Sequence, residues 1–482
     1  MWWTKKSKSK TLKYGPNPFK KRNFEAVEAR LLSGWETNSS SIDHYIRNNI
    51  VTLSSRSREQ VRNNEYARRF ISLSKSNIIG SKGVTYQSQI VDSRGELDTI
   101  ANTTMETAFK DWALKHCCIN EANTWIDFQN LALVSMAIDG DCIIELFQGS
   151  SFGKYGLQLR LIDPMLLDAD MNYRSRNGNL IKMGIERDDF DRVVAYHFRT
   201  VDESGYYQSG NHRRVAAENI IHAFRPEWVG QSRGIPWMAA ALYRMKMLHG
   251  YDEAAIAAAR AGASKMGFYK PDVDADSAEF GTTVDDAGEP IDEATPGHME
   301  KLPNGWDFQS YDPNYPHEQY PHFVKSTLRG MSSGLDISYP TFANDLEGVN
   351  YSSIRTGVLE DRELWKSLQE MIIQRVVEKV VNKWIRNAYL SFNVKIGNQP
   401  INRGVDYYNK FILQGKRWSW VDPLKDINAA DKAHMLSTRS ISSIIRESGL
   451  DPDEVFREIA ADKQKLIKLG IKDEIQEPEI QS

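Results

Sequence analysis

Gly230-Gln231-Ser232-Arg233-Gly234-Ile235-Pro236-Trp237 is the stretch on which the fold assignment turns. Its first five residues match the Gly-x-Ser-x-Gly nucleophile elbow, in which a sharp strand-to-helix turn presents a serine above a sheet. An elbow needs an apolar strand running into it and a helix running out. Here Pro226, Glu227 and Trp228 interrupt the strand side, and no alternating strand–helix pattern surrounds the motif. A serine hydrolase built on Ser232 is therefore the weaker reading, and a structural turn ahead of a helix opened by Pro236 is the stronger.

Downstream of this turn the spacing predicts a helix from Pro236 to Met266. Leu242, Met245, Leu248 and Tyr251 lie on one side of it, and alanines dominate from Ala254 to Ala263. So little side-chain bulk suits packing against close neighbouring backbones, including those of other copies. Residues 271–300 carry Asp272, Asp274, Asp276, Glu279, Asp285, Asp286, Glu289, Asp292, Glu293 and Glu300 with no Lys or Arg, a stretch that repels phosphates. Loops to Pro316, with a short strand at Trp306–Ser310, lead to a second helix over Tyr320–Leu335. The turn-rich segment 338–350 precedes the longest helical pattern. There Leu364, Leu368, Ile372, Val376, Val380 and Trp384 form one stripe, and Ile373, Val377, Val381 and Ile385 form another. From Asp426 the tail is helical and charged, with a break at Pro452.

Upstream, helical spacing runs from Ile42 to Ile79 until Gly80 and Gly83 end it, and again over 99–138 with a break near Asn120. After the Asp139-Gly140-Asp141 turn come β-rich runs at Cys142–Phe147, Leu157–Ile162, Leu180–Glu186, Val193–Phe198 and Asn219–Phe224, which predict an antiparallel or mixed sheet. The chain reads as a helix-rich α+β protein.

At 482 residues the chain is long enough for roughly two to four units. Its 41% hydrophobic and 26% charged residues are those of a globular protein. No apolar run reaches the roughly 18 residues of a membrane span, and the N-terminus has no signal-peptide pattern, so no membrane partner is expected. Cys117, Cys118 and Cys142 suit neither a disulfide framework nor a zinc site, and read as buried, inert thiols. His317-Glu318 and His322 differ from the zincin spacing by one residue and enclose Pro321, and Gly80-Ser81-Lys82-Gly83 is too short for a phosphate loop. No metal and no cofactor are expected, and no Walker motif is present. The net charge of −3 excludes a uniformly basic nucleic-acid binder. Residues 1–22, however, hold Lys5, Lys6, Lys8, Lys10, Lys13, Lys20, Lys21 and Arg22 with no acid, either an arm that touches phosphates or a solvated tail.

Several local sequences, in order along the chain, carry a family resemblance. They are Arg62-Asn63-Asn64 with Tyr66 and Arg68; Asp139-Gly140-Asp141; Gly184-Ile185-Glu186 leading to Arg192-Val193-Val194-Ala195-Tyr196; and Gly230-Gln231 with Arg233-Gly234-Ile235-Pro236-Trp237. Then follow Ser338-Tyr339 with Asp345-Leu346, Asn350-Tyr351-Ser352-Ser353 with Arg355, and Trp420-Val421-Asp422-Pro423. Together they resemble the portal proteins of lambda-type tailed bacteriophages. The resemblance implies a non-enzymatic subunit of a ring-shaped homo-oligomer, usually a dodecamer, at the capsid portal vertex of the virion. Through that ring double-stranded DNA enters and leaves, without sequence preference. It also implies partners: the terminase large subunit, the major capsid and scaffolding proteins, and a head-completion or adaptor protein. Laid onto that plan, residues 1–24 are a basic arm, 25–235 the wing, 236–268 a stem helix, 269–316 an acidic clip and 317–337 the returning stem helix. Residues 338–351 are then the tunnel loop, 352–425 a long helix with the remaining wing, and 426–482 the crown. The resemblance points to Asn344, Asp345, Glu347 and Asn350 as the DNA-facing loop residues. Lys325 and Arg329, one helical turn apart, either line the channel or form a solvated or intersubunit face.

Three readings separate cleanly in solution. A hydrolase loses turnover in Ser232→Ala while assembly persists. A nucleic-acid binder led by its arm shows tight, salt-sensitive DNA binding that disappears on deletion of residues 1–22. The portal resemblance predicts neither of these outcomes.

Overall fold

A computed structural model of the chain describes residues 39–205, 207–263, 267–271, 283–284, 290–291, 306–310, 319–348, 350–418, 423–447 and 451–468. The basic arm with Lys5, Lys6, Lys8 and Lys10, most of the acidic stretch, His317, Glu318 and the Trp420-Val421-Asp422 motif lie outside the described residues.

The N-terminal helical run divides into α1 (Ile42–Asn63) and α2 (Glu65–Ser74). The division falls at Asn64, whose extended backbone lets its side chain accept the amides of Tyr66 and Ala67 as an N-cap. After β1 (Thr85–Ser88) come α3 (Thr99–Asp111) and α4 (Trp125–Asp139), the latter started by a capping box of Thr124 and Asp127. β2 (Asp141–Gln148), β3 (Leu157–Ile162) and β9 (Ile220–Phe224) form an antiparallel sheet in the order β3-β2-β9. A second antiparallel sheet runs in sequence order from β4 (Tyr173–Arg174) through β5 (Leu180–Lys182), β6 (Ile185–Arg187) and β7 (Val193–Val201) to β8 (Tyr207–Ala216). Of these, β1, which pairs with Phe411–Gln414, β4 and β8 are not among the strands predicted from sequence, and the predicted run Leu180–Glu186 divides into β5 and β6.

The period-two alternation of β2 places it between two cores. Cys142, Ile144 and Leu146 face the helical core, whereas Ile143 faces a smaller core with Ile162, Ile185, Tyr196, Phe198 and Val215 between the two sheets. The helical core is completed by the long C-terminal helices α8 (Tyr351–Ile372) and α9 (Glu378–Ser391), joined through a π-turn at Ile373–Val377. Both predicted stripes are buried there apart from the half-buried Leu364, and Trp384 sits among Tyr86, Phe109, Trp112 and Tyr155. No described helix is long and apolar enough to cross a membrane.

Two sequence motifs interlock where the sheets meet the helices. Gly140, at φ +88, ends α4, and a Cβ built on Gly234 would lie 1.9 Å from its carbonyl oxygen. Only glycine permits that approach. Next to it, the fully buried Asp141 accepts from Arg233 Nε at 2.8 Å, from the Gly234 amide at 2.7 Å and from His222 Nε2 at 2.9 Å. Arg233 spends its remaining donors on the carbonyls of Leu167 and Pro164, both at 3.0 Å. Burial alone pushes the Asp141 carboxyl up, but Arg233, His222 and the Gly234 amide outweigh it and hold it below the ordinary carboxylate range. The Trp237 amide donates to Ala137 at 3.0 Å. This corrects the predicted start of the next helix: Pro236 opens tight turns, because Trp237 is drawn onto α4, and α5 (Leu242–Ala263) begins only after them.

Two measurements follow from these contacts. Arg233→Met leaves a buried carboxylate without its counter-ion and is expected to cost about 3–5 kcal/mol in urea unfolding, whereas Arg192→Met, at the exposed Asp188 pair, should leave the urea midpoint almost unchanged. In the second sheet Arg214, with Asn179 and His197, outweighs the cost of burial and holds Glu186 at about 2. A depressed carboxyl contributes stability above its unfolded value, about 4.3, and that stability is lost as the pH falls toward 2. Arg214→Ala should therefore shift the acid transition of this sheet to higher pH.

Candidate functional site

The segment 338–350 is assembled from local signals and then pinned from a distance. Pro340 favours a first helical turn, giving the single-turn α7 (Tyr339–Ala343), and Asn344 stops it in the left-handed region at φ +56. Gly348 turns the chain again at φ +68, and the Asn350 side chain caps α8 by accepting the Ser353 amide at 2.8 Å. Phe342 is fully buried, 5.8 Å from the Tyr66 ring. Asp361 accepts both the amide and the hydroxyl of Ser338 at 2.7 Å. Arg69, from α2, donates to the Thr341 carbonyl at 3.1 and 3.0 Å and to Asn344 Oδ1 at 3.3 Å.

The structure brings Lys325 and Arg329, on α6 (Tyr320–Gly334), against this loop. Lys325 Nζ lies 3.3 Å from Asp345 and 3.0 Å from Glu347, and Tyr339 donates its hydroxyl to Asp345 at 2.7 Å. The Arg329 guanidinium lies over the Tyr339 ring at 5.3 Å. Glu347 and then Asp345 push the Lys325 ammonium up. The Tyr339 hydroxyl, helped by the Glu347 amide and Lys325, holds Asp345 down. Burial, with Asp345 beside it, pushes Tyr339 up to about 12. Two cations thus meet two carboxylates and the cluster is close to neutral. Of the loop residues singled out from sequence, Asn344 is bonded by Arg69, Asp345 and Glu347 pair with Lys325, and Asn350 caps a helix; the tip itself is open, with the Glu347 side chain 83% and Leu346 63% exposed.

Sequence reasoning missed Arg69, Tyr339 and Asp361 as the residues that hold the loop. The proximity of Tyr339 to Asp345 was legible, but Arg69 reaches the loop only through the tertiary fold. The arrangement can present a polar, nearly neutral surface with one apolar residue at its tip.

Ser232, the other chemical candidate, is 5% exposed. Its amide and hydroxyl both donate to Asp43 on α1, at 2.8 and 2.7 Å, and Arg187 approaches its oxygen at 3.4 Å. Among the described residues no histidine hydrogen-bonds it, so the geometry is that of a turn fastened to a helix and not of an activated nucleophile. The described residues hold no group of three or more His, Cys, Asp or Glu arranged to take a metal.

Comparison with known proteins gives the family. The model of the lambda family of phage portal proteins matches residues 28–369. The probable portal protein of Halomonas phage phiHAP-1 is 31% identical over 459 residues, spanning 93% of this chain and 88% of its own. Portal protein B of Escherichia phage lambda is 22% identical and covers 92% of this chain and 89% of its own length. A chain in the neck of an empty GTA particle aligns over 84% of this chain and 94% of its own, at 12% identity and a TM-score of 0.45. With the family model spanning most of its length, the chain belongs to the lambda family of phage portal proteins.

Proposed function

We propose that this chain is the repeating subunit of a ring, a dodecamer, that forms the DNA channel at the portal vertex of a virion, and that it works as a conduit without enzymatic activity. Family membership supports the role, and the observation that carries the mechanism is the neutralised loop at 338–350. Each phosphate contact made by a free cation strengthens binding and resists sliding. A DNA-facing loop whose carboxylates already hold Lys325 of the neighbouring helix leaves the duplex free to pass. In this reading Leu346 and the loop's backbone meet DNA, and Lys325 and Arg329 shape the loop in place of gripping phosphate.

Assembly is supported by the helical pair that leads to the loop. Tyr243, Met247 and Ile256 on α5 and Phe323 on α6 are 74%, 52%, 58% and 51% exposed, an apolar content that a second copy would cover. We assign α5 and α6 to the stem, residues 269–316 to the clip, residues 25–235 to the wing and residues 426–482 to the crown. In this reading the ring nucleates the procapsid with the major capsid and scaffolding proteins. It docks the terminase large subunit, which supplies the energy for packaging, and later a head-completion or adaptor protein.

Native mass spectrometry with negative-stain microscopy tests the assignment. Twelve-membered rings with a central hole are expected, and a persistent compact monomer or dimer overturns it. Paired Tyr243→Glu and Met247→Glu substitutions should yield monomers of unchanged circular dichroism. In assembled rings, replacing both Asp345 and Glu347 with alanine frees Lys325. DNA retention should then rise, with the log–log salt slope steepening by about 0.9 for each phosphate newly contacted.

A further inference from the structure

Cys117 and Cys118 lie at the exit of α3, beyond a π-turn at Trp112–His116, and play no part in the loop described above. Both are buried, at 0% and 3% exposure, and their sulfurs are 3.4 Å apart. The backbone around them is fixed by β3: Leu159 donates to the Cys117 carbonyl at 2.8 Å, and Ile119 donates to the Leu159 carbonyl at 3.1 Å. Immediately after the pair the chain comes to the surface. Ile119, Asn120, Glu121 and Ala122 are exposed, and Glu121 sits in the left-handed region at φ +53, which a residue with a side chain adopts at a cost. The thiols are thus followed at once by a strained surface turn, and the Cys117 thiol donates to the Asn123 carbonyl at its far end at 3.4 Å; in the proposal below, local opening of this turn gives a solute access to Cys118. Cys142, by contrast, is wholly buried in β2, where burial pushes its thiol well above the ordinary range.

From this geometry we propose that Cys117 and Cys118 form a reversible vicinal dithiol, oxidised by small-molecule disulfides of the glutathione class. The Cys118 thiolate attacks one sulfur of the external disulfide, whose S–S bond breaks and releases one thiolate. Cys117 then gives its proton to solvent and attacks Cys118 Sγ, expelling the second thiolate. In sum, two protein thiols become one disulfide and the external disulfide becomes two thiols. The contact between the two sulfurs, with burial, pushes Cys117 up, and the same contact draws Cys118 below its ordinary value, which suits Cys118 as the first nucleophile. Adjacent Cα atoms are about 3.8 Å apart, closer than the roughly 4.4–6.8 Å that disulfides usually span. The ring is consequently strained and easily reduced, so the pair stays as thiols in a reducing cytoplasm and closes only in an oxidising medium.

The test uses the full chain carrying Cys142→Ala, so that every remaining thiol belongs to the pair. Samples treated with oxidised glutathione are denatured in N-ethylmaleimide and weighed intact. The expected product has lost the mass of two hydrogens, carries no maleimide, and regains two maleimides per chain after dithiothreitol. Two maleimides without reduction, a stable glutathione adduct, or a covalent dimer between chains would each overturn the proposal. Because Cys142→Ala empties part of a packed core, the wild-type chain is measured in parallel. There, oxidation should leave one reactive thiol of three.

Discussion

The buried contact between Asp141 and Arg233 is the constraint on which the rest of the molecule depends. Taking both charges out of water carries a penalty of several kcal/mol per ion, so the pair persists only because its polar groups are answered. Asp141 is bonded by Arg233, His222 and the Gly234 amide, and Arg233 also by two carbonyls from the turn at 163–168. These partners come from the start of β2, from β9, from that turn and from the segment leading to α5. The ion pair thus fixes where the three-stranded sheet, the inter-sheet turn and the helical core meet. The contact of Gly140 with Gly234 brings the two backbones close enough for the Gly234 amide to reach the carboxylate.

Paired charges recur in both sheets and at the loop. Glu145 is bonded by Arg160 and Arg213, Glu186 by Arg214 and His197, and Asp168 by Arg199 and His212. At 338–350, Lys325 is paired with loop carboxylates and the loop is shaped by Arg69 and Asp361. In the proposed role, a loop whose charges are already paired would pass a duplex without holding phosphate.

The predicted helix from Pro236 marks where one-dimensional reasoning ends. Pro at a first helical position is a sound rule, yet here Trp237 is drawn onto Ala137 and the chain turns before Leu242. Burial of all three cysteines was expected from their odd number and spacing, and all three are buried. The contact of Cys117 with Cys118 was not legible, since adjacent side chains can point apart or together depending on the backbone that β3 imposes.

What the sequence by itself determined was whatever is encoded within the length of one element. The stripes of α8 and α9, the alternation in β2, the turn at Asp139-Gly140-Asp141 and the return helix at Tyr320 are of this kind, because period and propensity act locally. The ordered motifs from Arg62 to Arg355 also identified the family. The tertiary structure alone decided which distant motifs meet: Asp141 with Arg233, Ser232 with Asp43, Arg69 with Thr341, β1 with Phe411–Gln414, and Lys325 with its two carboxylates. Such pairings depend on closing long loops and on shape complementarity between finished elements, and neither leaves a mark in the local order of residues.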